Sequence, residues 1–164
     1  MCFILIGMVH SMNKPTLYVL IGPAGSGKTD FAKTLDHVMP VSTDQIRKML
    51  YGSEECQENS AEVFRRAYET IRRRLRNGID VAFDATNTTS KTRNELLKRL
   101  ADISCTTIAV YMNTPLGECK RRNQQRERIV PDAVIERQYA QMIRDAASIP
   151  VRFDEIMIVE GWKK

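Results

Sequence analysis

Gly22-Pro23-Ala24-Gly25-Ser26-Gly27-Lys28-Thr29 reads G-x-x-x-x-G-K-[ST], and its flanks decide the fold. Before it, Thr16-Leu17-Tyr18-Val19-Leu20-Ile21 is a short apolar run, β-branched and aromatic, with the composition of a strand buried on both faces. After it, Asp30 to Leu35 places Phe31, Ala32 and Leu35 on one side of a helix. Strand, glycine loop and helix is the arrangement a polyphosphate needs. Glycines let backbone N–H groups curl round phosphate oxygens without Cβ clashes, and the helix start adds partial positive charge. In such a loop the lysine, here Lys28, reaches the β- and γ-phosphates, and the hydroxyl of Thr29 ligates Mg²⁺. The sequence predicts a nucleoside triphosphate site with residues 22 to 29 as its cradle.

The same alternation continues outward. Met39-Pro40-Val41-Ser42 predicts a second strand that leads into Thr43-Asp44, followed by a helix through Leu50 that Gly52 stops. Asp44 and Arg47 are three apart, so they share a helix face at the carboxyl end of a strand, where ligands bind in open α/β sheets. Asp44 equally suits a helix N-cap. Gln57 to Asn77 predicts the longest helix, with Ala61, Phe64, Ala67, Tyr68, Ile71 and Leu75 as its buried stripe and Gly78 as its C′ glycine. Its arginines, from Arg65 to Arg76, lie mostly off that stripe. They form either a solvated basic face or a surface that tracks polynucleotide phosphates. Ile79 to Asp84 is the next strand and closes on an acid, the position that holds Mg²⁺ in phosphate-loop proteins.

Thr106 to Met112 is a fourth strand, and Pro115 opens a helix that runs into Lys120-Arg121-Arg122-Asn123-Gln124-Gln125-Arg126-Glu127-Arg128. Arg122, Arg126 and Arg128 on a polar hinge suit a lid that closes over developing phosphoryl charge. Pro131 opens another helix, Ile149-Pro150 breaks it, and Phe153 to Val159 makes the fifth strand. Five strands alternating with helices predict a doubly wound α/β domain over 16–164, a lid at about 116–132 and an N-terminal extension, 1–15.

Composition fits one globular domain: 164 residues, 43% apolar and 27% charged, with no low-complexity tract. A net charge of +5 permits an anionic substrate or nucleic acid. Four scattered cysteines, without a C-x-x-C pair, predict neither a structural metal nor a disulfide framework, which fits a reducing cytoplasm. Met1 to Val9 is apolar but too short to span a bilayer, so no membrane partner is expected. An extra edge strand is its expected fate, and Met12 is a candidate start.

Four motifs in order, Gly22 to Thr29, Ser42-Thr43-Asp44-Gln45-Ile46-Arg47, Asp84-Ala85-Thr86-Asn87 and Arg122-Asn123-Gln124-Gln125-Arg126 with Val130-Pro131, resemble the kinase domain of 5′-hydroxyl polynucleotide kinases. The resemblance covers Thr16 to about Arg144. It implies an adenylate-kinase-like phosphate-loop fold with a parallel sheet of about five strands and a small helical lid. It also implies ATP as donor, Mg²⁺, and a single-stranded nucleic acid 5′ end as acceptor. By that resemblance Asp44 is the general base, Arg47 binds the acceptor's phosphate, Asp84 fixes that arginine, Asn87 joins the acceptor site, and Arg122 and Arg126 cover the donor phosphates. Asp84 thus has two roles open to it, metal or arginine. Phe83 to Thr89 is also similar to 6-phosphofructo-2-kinase, which keeps small-molecule acceptors open, zeta-toxin-like nucleotide-sugar kinases among them. A nucleotide-binding regulator with little phosphotransfer is the remaining alternative.

Overall fold

All six residues of strand β1 (Thr16–Ile21) are buried, which is why that run has no polar alternation. The structure is a computed structural model that describes residues 14–53 and 59–160. The apolar segment at residues 1–9, Cys2 and Cys56, and the predicted helix start at Gln57 lie outside them. Strands β2 (Met39–Ser42), β3 (Val81–Asp84), β4 (Thr106–Asn113) and β5 (Glu155–Glu160) join β1 in one sheet ordered β2-β3-β1-β4-β5. Every pairing is parallel. Side-chain bonds pin the lower edge: the Thr16 amide donates to Asp80 Oδ1 at 2.7 Å, and the Thr107 amide to Asp154 Oδ2 at 2.8 Å.

Helices α1 (Lys28–Ala32), α2 (Thr43–Tyr51), α3 (Ser60–Arg76), α4 (Ser90–Arg99), α5 (Leu116–Asn123), α6 (Asp132–Arg144) and α7 (Ile149–Arg152) connect the strands. Successive residues of β1 point to opposite faces, so the sheet has two cores. Leu17, Val19 and Ile21 pack with Ala67, Tyr68, Ile71, Leu96 and Met142 from α3, α4 and α6. Tyr18 and Leu20 pack with Phe31, Ala32, Val110 and Met112. The expected doubly wound α/β architecture is present.

Local departures have physical causes. Helix α1 ends at Ala32 rather than Leu35, and Ser42, not Asp44, caps α2 by accepting the Gln45 amide. Ala61 is exposed, and Val63 takes its place in the buried stripe of α3. The basic helix after Pro115 stops at Asn123, because Asn123 donates to the Val130 carbonyl at 2.8 Å and accepts the Val130 amide at 3.0 Å. That reciprocal pair closes residues 124–130 into a loop. Pro150 does not end the chain's helical path: it sits in the first turn of α7, where a missing N–H costs little.

Candidate active site

The glycine loop is shaped by what it cannot contain. Gly25 has φ +79° and Gly27 φ +94°, in the left-handed region that disfavours any Cβ. A Cβ on Gly25 would lie 2.1 Å from the Cys119 carbonyl oxygen, and one on Gly22 would lie 2.5 Å from Ser26 Oγ. Three bonds from distant segments hold the loop. The Gly22 amide donates to the Thr86 carbonyl at 3.0 Å, the Thr114 hydroxyl to the Ser26 carbonyl at 2.9 Å, and the Ala24 amide to Gln138 Oε1 at 2.9 Å. Lys28 is buried, and its ammonium donates to the carbonyls of Gly22 and Pro23 at 2.9 and 2.8 Å. Burial pushes the Lys28 ammonium below its ordinary pKa; Asp84 opposes that shift and Arg126 adds to it.

Register brings the two acids together. Ser42 pairs with Asp84 across β2 and β3, so Asp44, two residues on, stands beside the end of β3. Asp84 Oδ2 accepts the Thr29 hydroxyl at 2.7 Å. Asp44 Oδ1 accepts from Arg47 at 2.8 Å and from Arg128 at 3.4 Å. The predicted Asp44–Arg47 pair is therefore made, and Arg128 reaches it from the α5–α6 loop. The Nε of Arg47 is buried with no hydrogen-bond partner among the described residues. These groups line a cleft of about 630 Å³ that Ala24, Arg126, Arg137, Gln138, Phe64 and Ile129 also line. Among the described residues it holds five cations, Lys28, Arg47, Arg126, Arg128 and Arg137, against two carboxylates, Asp44 and Asp84. That excess suits a polyanion.

The donor set fits a hard cation shared with phosphates. The Thr29 hydroxyl and the Asp84 carboxylate are hard oxygen ligands side by side. Among the described residues no three His, Cys, Asp or Glu side chains converge to hold a metal by themselves. Magnesium commonly binds this way, through one or two protein oxygens with substrate phosphates supplying others. In the structure Asp84 bonds to Thr29, and both its roles, metal and arginine, stay open.

Two expected residues stand apart from the cleft. Arg122 donates to Glu118 at 2.6 Å and is not among the residues lining the cleft. Hydrogen bonds from Arg121 and Arg122 hold the Glu118 carboxyl down to about 2. Asn87 is buried at φ +47° and donates to the Leu20 carbonyl at 2.8 Å, fastening the β3–α4 loop to β1. The basic face of α3 is also largely committed. Arg65 and Arg66 pair with Glu62, Arg72 and Arg76 pair with Asp102, and Arg74 donates to the carbonyls of Met39 and Pro40. These exposed pairs fit the solvated-face reading of these arginines. Sequence reasoning missed Arg137, Gln138 and Phe64. A signal existed for two of them: Val134, Arg137 and Gln138 recur at helical spacing just after the basic loop, as one face turned to it would.

Comparisons with known proteins give the chain a family and its fold relatives. A family profile described as an AAA domain (AAA_33) matches residues 17–147. An L-seryl-tRNA(Sec) kinase from Methanococcus maripaludis is 26% identical over 132 residues, 75% of this chain and 51% of that protein. The chain thus spans about half the length of that curated relative. A chain of the Pnkp1/Rnl/Hen1 RNA repair complex superposes with a TM-score of 0.75 at 20% identity, over 87% of this chain and 49% of that one. A gluconokinase from Sinorhizobium meliloti 1021 superposes with a TM-score of 0.58 at 16% identity, over 93% and 86%. At these identities the two structural likenesses establish the fold.

Proposed function

The chain belongs to the AAA_33 family of P-loop kinases, and on that premise we propose that it transfers the γ-phosphate of ATP to the 5′-hydroxyl end of a polynucleotide. One observation carries the reading: Asp44 is held by two arginines in the same cleft that Lys28 and Thr29 of the glycine loop line. A half-exposed carboxylate fixed in this way is suited to take the proton of an incoming hydroxyl. Arg47, with a buried N–H still unsatisfied, suits an acceptor that carries its own phosphate. Lys28, Arg126 and, from α6, Arg137 line the same cleft and suit the stabilisation of charge that builds on the transferred group. Thr29 and Asp84 would hold Mg²⁺, which with ATP supplies the activated phosphoryl group. The likeness to a chain of an RNA repair complex supports a nucleic-acid acceptor.

A second reading, a small-molecule acceptor, draws on the arginines of α3 that are paired with Glu62 and Asp102. The likeness to a gluconokinase points the same way.

The deciding test is transfer of labelled γ-phosphate from ATP to a 5′-hydroxyl oligonucleotide or to gluconate, with Mg²⁺. Label on the oligonucleotide, lost in Lys28→Ala and Asp44→Asn while Asp44→Asn still binds ATP, is the expected result. Label on gluconate alone moves the acceptor to small molecules. ATP turnover that persists in Asp44→Asn without any acceptor makes the protein a nucleotide-binding regulator or ATPase instead.

A further inference from the structure

The acceptor half of the cleft is not uniformly polar. Strands β2 and β3 and helices α2 and α3 lie to one side of the glycine loop, and Asp44 opens on that side. There Phe64 of α3 lines the cleft, half-buried. Its ring is held from behind by Phe83, edge-on at 6.5 Å between centroids, and by Tyr68 at 5.8 Å. Asp84, the residue after Phe83, lines the same cleft as Phe64. The α5–α6 loop adds Ile129 to the lining, 61% exposed, an apolar side chain in a basic loop. Its neighbour Arg128 reaches Asp44, which brings Ile129 to the same acceptor half. Val130, Pro131 and Val134 continue that apolar lining.

The acceptor half thus sets cations beside an aromatic ring and an aliphatic side chain. They match a phosphate attached to a flat ring. Resting on the acceptor reading above, we infer that Phe64 and Ile129 form a base-recognition pair: the nucleobase of the terminal nucleoside stacks on Phe64 beneath Ile129, while Arg47 takes the adjoining phosphate. Stacking needs a π-face and no particular base edge, so such a site accepts all bases and rejects their absence.

The test compares two 5′-hydroxyl oligonucleotides that differ only in whether the terminal residue has a base or is abasic. Wild type should favour the base-bearing end by about 5- to 150-fold in kcat/KM. The preference should reside in KM, because a stack is made equally in ground and transition states. Phe64→Leu should bring the ratio near one, Phe64→Trp should restore it, and Ile129→Ala, at an exposed position, should lower it without loss of folding. A mere packing role for Phe64 would not move the ratio between the two acceptors. Equal labelling of both by wild type, or a ratio unchanged in Phe64→Leu and Ile129→Ala, overturns the base pair alone. No labelling of either oligonucleotide overturns the polynucleotide reading and the base contact with it.

Discussion

Replacing Gly25 with alanine should cost far more than a methyl group usually does. Two terms add. The backbone there has φ +79°, and a non-glycine residue in that region costs about 1–2 kcal/mol. The new Cβ would lie 2.1 Å from the Cys119 carbonyl oxygen, where ordinary contact begins at 3.4 Å. The obstructing atoms are backbone, so no rotamer relieves the overlap, and the glycine loop or α5 has to move. Overpacking of that kind costs about 1–3 kcal/mol. A loss of about 2–5 kcal/mol follows, or a fall of about 5–15 °C in Tm for a domain of this size. Gly117 is the internal control: it lies in α5, has no left-handed φ, and a Cβ there would meet nothing within 4 Å. Gly117→Ala should be neutral or stabilise by up to about 1 kcal/mol. Thermal unfolding of both variants, with ATP affinity measured beside it, is the assay. Gly25→Ala unfolding within a degree of wild type, or Gly117→Ala proving as harmful, would refute the reasoning.

Three other outcomes are expected. Arg126→Ala should lower kcat by about 10²–10³-fold, whereas Arg122→Ala, whose guanidinium is spent on Glu118, should change it by less than about threefold; steady-state phosphotransfer distinguishes them, and equal losses would return Arg122 to the phosphates. Arg93→Met should destabilise by about 3–5 kcal/mol in urea unfolding, because the buried guanidinium donates to the Asn87 and Asp145 carbonyls and Ser148 Oγ at 2.7 to 2.9 Å. Hydrogen bonds from Arg65 and Arg66 hold Glu62 down to about 2, as those from Arg121 and Arg122 hold Glu118. Their stabilisation is complete above pH about 4.5 and fades as pH falls toward about 2, so Glu62→Gln with Glu118→Gln should flatten the stability profile between those values. Superimposable profiles from pH 5.5 to 2.5 would count against these pairs.

What the sequence disclosed was what depends on near neighbours along the chain. The β1-loop-α1 unit, the three-residue step from Asp44 to Arg47 and the acid that closes β3 are local patterns, and each stands where its pattern places it. Contacts made by distant segments were hidden. Gln138 holds Ala24 across 114 residues, and Asp102 takes up Arg72 and Arg76 from beyond α4. Asn87 shows the opposite difficulty: a polar residue in a loop suggests a ligand contact, but its amide works beneath the loop as a fastening to β1. The end of α5 was equally illegible, since it is set by Asn123 closing on Val130 rather than by any breaker.

The place of β1 at the centre of the sheet has a consequence for how the chain is made. Both its neighbours come much later in the chain: Leu17 is registered against Val81, and Thr16 against Thr106. At about 5–20 residues per second, the ribosome needs several seconds to deliver the second of those partners after the first strand has emerged. During that interval Thr16–Ile21, six residues that end fully enclosed, has no sheet to join. Newly made chains therefore pass through a stage with an unpaired apolar strand, when they are most prone to aggregate. Long-range parallel pairing of this kind also places the protein among the slower-folding domains of its length.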